Sequence, residues 1–114
     1  PLYNNGNHIR DFTYVSDVTE TIVRLIKKPP RKKTPFDLFN VASSNPIHLK
    51  KFLKIIENIL GKKAKIKNEP FQLGDVHKTF GSIKKLIKKI KYKPQTSLEK
   101  GIEHFIDWYQ KSFK

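Results

Sequence analysis

The stretch Leu2-Tyr-Asn-Asn-Gly-Asn-His-Ile-Arg-Asp-Phe-Thr-Tyr-Val-Ser-Asp17 decides how the rest of this chain is read. Phe12 and Tyr14 alternate as the apolar face of a buried strand does. They lie between a charged pair, Arg10-Asp11, and a helix-start signal, Ser16-Asp17. The sequence predicts a strand over residues 2–4, a turn, and a second strand over 10–14 that runs straight into a helix. That order belongs to an α/β chain.

Outward from this stretch, Val18, Ile22, Val23, Leu25 and Ile26 recur at helical spacing, and Asp17-x-x-Glu20 is a weak capping box. Residues 17–28 are predicted helical, and Pro29-Pro30 ends the helix because proline cannot continue its hydrogen-bond ladder. The basic loop Arg31-Lys32-Lys33 is polar. Phe36 to Ala42 has the aromatic and branched content of a buried strand. Ser43-Ser-Asn-Pro46 reads as a turn, with Asn45 a cap and Pro46 suited to a first helical position. Leu49, Phe52, Leu53, Ile56, Ile59 and Leu60 predict a helix over 46–60, terminated by Gly61 in the left-handed conformation.

Residues 63–68 alternate as an edge strand, with lysines outward. Beyond an irregular connection over 69–80, Ser82 is placed to cap a short helix with Ile83, Leu86, Ile87 and Ile90 inward and five lysines outward. Thr96-x-x-Glu99 is a capping box before a C-terminal helix striped by Leu98, Ile102, Phe105, Ile106 and Tyr109. No repeat or linker divides residues 1–114, which form a single domain.

With 114 residues, the chain has core enough to fold and little to spare. No run of 18 apolar residues and no signal-peptide pattern is present, so no membrane partner is expected. The absence of cysteine excludes disulfides, Cys-zinc sites and thiol catalysis, and suits a reducing cytoplasm. The net charge is +14, and 21 of the 24 basic residues are lysine. Base reading and bidentate phosphate contacts favour arginine, of which there are three. A solvated lysine surface that attracts polyanions without specificity is the expectation, and no specific nucleic acid is expected as partner. A basic nucleic-acid-binding module and a scaffold module remain the rival classes.

Four segments carry a resemblance. They are Arg10-Asp-Phe-Thr-Tyr-Val-Ser-Asp17, Phe39-Asn-Val-Ala42, Gly74-Asp-Val76 and Tyr92-Lys-Pro-Gln-Thr-Ser-Leu-Glu-Lys-Gly-Ile102. In this order they resemble the extended short-chain dehydrogenase/reductases (SDRs), and among them the NAD-dependent nucleotide-sugar epimerases and dehydratases, nearest the UDP-glucuronate 4-epimerases. Two departures stand out: Ala42 where the family has glycine, and Gly81-Ser82 where it has Ala-Asp.

The resemblance implies a small C-terminal substrate-binding lobe, three or four helices with short strands, without the Rossmann domain. It implies a UDP-sugar as ligand, the missing N-terminal Rossmann domain as partner, and a place in surface polysaccharide precursor synthesis. Arg10 is then the diphosphate arginine, a fork that stays charged at any working pH. Asp75 accepts from ribose hydroxyls, Gln72 stands where other epimerases carry a second arginine, and Tyr3 lies beside the uracil. Asp17 is expected to cap its helix, and Ser82 to keep the capping role of the family's aspartate. Each site residue also has a plainer reading. Arg10 can pair with a neighbouring carboxylate, Asp75 can be a turn residue bonding its own backbone, and Tyr3 can simply pack.

The family's catalysis uses NAD on a Gly-x-x-Gly-x-x-Gly loop and a Tyr-x-x-x-Lys pair. Neither pattern occurs here: the glycines (6, 61, 74, 81, 101) are scattered, and no tyrosine precedes a lysine by four. The histidines (8, 48, 77, 104) fit no helical metal pair. The expectation is a chain with no catalytic residues, no cofactor and no metal of its own, either a cut piece of a longer enzyme or the translated remnant of an interrupted gene, with NAD belonging to the full-length family. Helix 17–28 and the N-terminal strands should form the seam with the absent domain, so self-association there, or a loosened N-terminal segment, is expected.

Overall fold

The computed structural model describes residues 1–31 and 33–113; Lys32, in the basic loop, and Lys114 lie outside the described residues. Among the described residues, two strand pairs and four helices follow one another. β1 (Leu2–Tyr3) and β2 (Ile9–Arg10) flank a 3-10 turn at Asn4–Gly6, and α1 spans Val15–Ile26. β3 (Ile47–His48) leads directly into α2 (Leu49–Leu60). β4 (Asn68–Glu69), α3 (Lys84–Ile90) and α4 (Leu98–Ser112) complete the order. β1 runs parallel to β4, and β2 antiparallel to β3, with Arg10 opposite Ile47.

The apolar core is small and one-sided. Ala42, Ile83, Leu86 and Ile90 form it, and Leu25, Phe39, Val41 and Tyr92 pack around them. The periodicity of α3 is met in part: Ile83, Leu86 and Ile90 are buried and Lys84, Lys85 and Lys88 exposed, but Ile87 is 38% exposed and Lys89 half-buried. α1 divides differently from its apolar pattern. Asp17 and Thr21 are buried, whereas Ile22, Val23 and Ile26 are 50%, 47% and 72% exposed. Its inward stripe is Asp17, Thr21 and Leu25 at i, i+4 and i+8, and much of its hydrophobic face meets no other element. The radius of gyration is 17.3 Å, well above the roughly 13 Å of a compact chain of this length. Little of this flat molecule is core.

Several predicted elements differ, each for a physical reason. Phe36 to Ala42 forms no strand; Phe39, Val41 and Ala42 join the core that α3 builds, Phe36 and Leu38 stay exposed, and the backbone joins no ladder among the described residues. The edge strand over 63–68 shrinks to Asn68–Glu69, where β1 supplies a partner. Residues 11–14 are extended without pairing, and Phe12 stacks on Phe52 with centroids 4.4 Å apart. The second helix begins at Leu49, because Ile47–His48 pairs with β2; Asn45 and Pro46 therefore neither cap nor start it. Gly61 does end it, at φ 62° in the left-handed region.

The predicted caps shift as well. α1 begins at Val15 with Tyr14 as N-cap, which places Asp17 inside the first turn. Asp17 caps nothing there. Its carboxylate reaches across the fold to accept from Tyr92 Oη at 2.7 Å, Gln95 N at 3.1 Å and Thr96 N at 3.0 Å. Thr96 is thereby fixed from behind, and the N-cap of α4 moves to Ser97, whose Oγ accepts from Lys100 N at 3.1 Å. Ser82 makes no cap bond; Ile83 takes the N-cap position of α3.

Candidate functional site

β2 is held on both sides, and that is what assembles the site. β3 flanks one edge. On the other, Ile9 N donates to His77 O at 2.9 Å and Thr79 N donates to Ile9 O at 3.1 Å. This bridge draws the loop before α3 alongside Arg10, 65 residues away in sequence. Within the loop, Asp75 N donates to Gln72 O at 3.2 Å, closing a turn in which Gly74 adopts φ 84°. A side chain at residue 74 would have open space, so only the backbone conformation calls for glycine.

Arg10 and Asp75 meet at this junction. Arg10 Nη2 lies 2.6 Å from Asp75 Oδ1. Its Nη1 donates to Ile9 O at 3.1 Å and His77 O at 3.3 Å, which fixes the plane of the guanidinium. Asp75 Oδ1 also accepts from its own Val76 N at 2.7 Å. That backbone N–H, ahead of the Arg10 charge, holds the Asp75 carboxyl below its ordinary value against the opposing effect of desolvation. The plainer readings of both residues are thus present, and they are present at each other. Three of the guanidinium's five N–H donors are engaged, and two remain for a ligand.

Around the pair lies an open cavity of about 440 Å³, lined by Tyr3, His8, Arg10, Leu49, Asp75 and Thr79 among others. The structure thus gathers Tyr3, Arg10 and Asp75 into one site. Gln72 is exposed and is not among the residues that line the cavity; the turn uses its carbonyl.

Two residues of the site escaped the sequence reading. His8 is 2% exposed, and its Nε2 has no hydrogen-bond partner while standing 3.6 Å from Asp75 Oδ2. Strand alternation offered a signal, since residues i and i+2 share a face and His8 precedes Arg10 by two. Asp11 ties the floor together: Ser43 Oγ donates to its Oδ1 at 2.6 Å and Gly81 N to its Oδ2 at 2.9 Å. Nothing local in the sequence marked that.

The arrangement can recognise an anion beside a hydroxyl-bearing group. No helix among the described residues opens from a glycine-rich turn of the kind that cradles a dinucleotide. No group of three or more His, Cys, Asp or Glu among the described residues could hold a metal ion. No helix among them is long and apolar enough to cross a membrane.

Residues 1–105 match the family described as GDP-mannose 4,6 dehydratase. Protein CapI of Staphylococcus aureus is 38% identical over 99% of this chain and 38% of its own length. A probable UDP-glucuronate 4-epimerase of Rhizobium meliloti is 32% identical over the same shares. Among solved structures, UDP-glucose 4-epimerase of Thermotoga maritima, determined with UDP-glucose, superposes with a TM-score of 0.84 at 23% identity, covering 98% of this chain and 35% of that one. UDP-glucuronic acid 4-epimerase of Bacillus cereus, determined with UDP-glucuronic acid and NAD, gives 0.81 at 24% identity over 99% of this chain and 36% of that one. This chain spans little more than a third of the length of these relatives. Its four helices and short strands match the C-terminal region of extended SDR epimerases, and the chain belongs to the GDP-mannose 4,6 dehydratase family, among the NAD-dependent nucleotide-sugar epimerases and dehydratases.

Proposed function

We propose that this chain forms the diphosphate- and ribose-facing part of a UDP-sugar site, in an enzyme of the UDP-glucuronate 4-epimerase kind that makes precursors of surface polysaccharide. The observation that carries this reading is the Arg10–Asp75 pair, 2.6 Å apart on the wall of one cavity with Tyr3. A diphosphate needs a cationic fork, and a ribose diol needs a carboxylate acceptor close by. Arg10 is the fork, Asp75 the acceptor, and Tyr3 a flat apolar surface for the base. The solved relatives carrying UDP-glucose and UDP-glucuronic acid support the ligand class.

Residues 1–114 contain no Tyr-x-x-x-Lys pair and no dinucleotide loop. Alone they bind and do not turn over substrate; hydride chemistry with NAD and contacts to the sugar ring fall to the part of the relatives that this chain does not span. NMR titration with UDP tests the reading. Amide shifts should appear first near residue 10 and residues 72–79, and Arg10→Met should weaken binding about 10- to 100-fold. Shifts confined to the lysines of α3, vanishing as salt is raised, would favour the polyanion surface instead.

A further inference from the structure

The unpartnered Nε2 of His8 faces the carboxylate that holds the site's one cationic fork. We propose that His8 is a positioning residue for Asp75: when a diphosphate draws Arg10 away, the His8 imidazole takes a proton from solvent and replaces the guanidinium as counter-charge of that carboxylate. This rests on the UDP-sugar reading above.

The geometry makes the exchange a small movement. Asp75 Oδ1 is engaged by Arg10 Nη2 at 2.6 Å and by Val76 N at 2.7 Å. Oδ2 receives no hydrogen bond from the described residues, and His8 Nε2 stands 3.6 Å from it. Closing that gap by less than about 1 Å gives a charge-assisted hydrogen bond. His8 cannot turn to water instead, because it is 2% exposed and the Phe71 ring meets it edge-on at 5.5 Å.

Charge supplies the direction. As the fold stands, the Asp75 carboxylate has the Arg10 guanidinium as its counter-charge at 2.6 Å. A diphosphate brings two negative charges and competes for the guanidinium. Asp75 would then be left with no cation while anions stand nearby. Of the groups facing His8, Arg10 from β2 is the one withdrawn, and His77 from the loop stands 6.4 Å away ring to ring and is exposed. Asp75 is the carboxylate that stands against the His8 ring, 3.6 Å away. Protonated His8 restores neutrality and keeps Asp75 aimed at the ribose, so binding and proton uptake are linked.

Isothermal calorimetry of the whole chain with UDP-glucose, in two buffers of different ionisation heat, measures that proton. The ligand's phosphates are both esterified and do not titrate near neutrality, unlike a phosphate monoester with a second pKa of about 6. Near pH 7 binding should take up a measurable fraction of a proton, and affinity should fall as pH rises from 6 to 8. His8→Gln keeps an N–H donor but cannot accept a proton, so uptake should vanish and affinity become flat with pH. His77→Gln should leave the uptake in place. Arg10-dependent binding without proton uptake, or uptake that survives His8→Gln, overturns the role of His8 and leaves the UDP-sugar reading standing. Absence of binding, or binding indifferent to Arg10→Met, overturns both.

Discussion

Ala42 and Gly81 share the space of one methyl group: a Cβ added at residue 81 would lie 2.2 Å from the Ala42 Cβ. Ala42 is 7% exposed and belongs to the core. Far apart in sequence, the two positions are coupled in the fold, which has room for a methyl group on one wall and not on both.

Gly81→Ala alone should therefore cost about 2 kcal/mol or more, since the methyl has nowhere to go. Ala42→Gly alone should cost about 1 kcal/mol through lost packing and a looser chain. The double variant should recover most of the loss, giving a coupling energy above about 1 kcal/mol in a denaturant-melt cycle. Simple additivity would mean that the two positions do not compete.

Asp17 links α1 to the segment before α4, and its removal should be severe. Asp17→Ala strands the hydroxyl of Tyr92 and the amides of Gln95 and Thr96, at a cost of about 3 kcal/mol. Tyr92→Phe leaves two donors on the carboxylate and should cost closer to 1 kcal/mol.

The same contact sets a pH window. Burial alone would raise the Asp17 carboxyl, but the bonds from Tyr92, Gln95 and Thr96 outweigh it and hold the group below its ordinary 3.8. Its contribution is present above that value and is lost as pH falls through the lowered one. Burial first, and the Asp17 carboxylate second, push Tyr92 from 10.0 up to about 12. Its contribution is complete below pH 10 and is lost as pH rises through about 12. Stability measured against pH should fall at both ends, and Tyr92→Phe should remove the alkaline fall specific to this residue.

Gly74 offers a test of the site loop apart from its chemistry. At φ 84° with open space around it, Gly74→Ala strains the backbone and clashes with nothing. A penalty of about 1–2 kcal/mol is expected, concentrated in the turn that carries Asp75. UDP affinity should drop severalfold with helix content by circular dichroism unchanged. Unaltered affinity would show that this turn does not position Asp75 for the ligand.

The apolar face of α1 should make the chain associate. Ile22, Val23 and Ile26 are each about half exposed or more, on a molecule with a net charge of +14. Repulsion opposes association at low salt and weakens as screening shortens its reach. Sedimentation should show a larger species at high salt, and Ile22→Lys together with Ile26→Lys should abolish it. A strict monomer across the salt series would mean that this face is content in water.

The sequence by itself determined the helices, because periodicity and terminators act within a few residues. The stripe of α3, the run ending at Gly61 and the apolar face of α4 were all legible without a fold. It also marked Arg10, Asp75 and Tyr3 through resemblance to a family. What only the tertiary structure decided was pairing across distance. Phe36 to Ala42 has strand composition but no neighbouring edge among the described residues, and composition cannot report a missing partner. Asp17 carries the local signature of a cap, yet three donors from residues 92–96 outbid the helix end for its carboxylate. Gln72 stands near Asp75 in sequence, and only the fold shows that it is exposed and outside the lining of the cavity. His8 became visible only once the fold had buried it and set it 3.6 Å from Asp75, 67 residues on. Local rules fix the backbone of each element; burial and charge, which depend on what lies opposite, fix the task of each polar side chain.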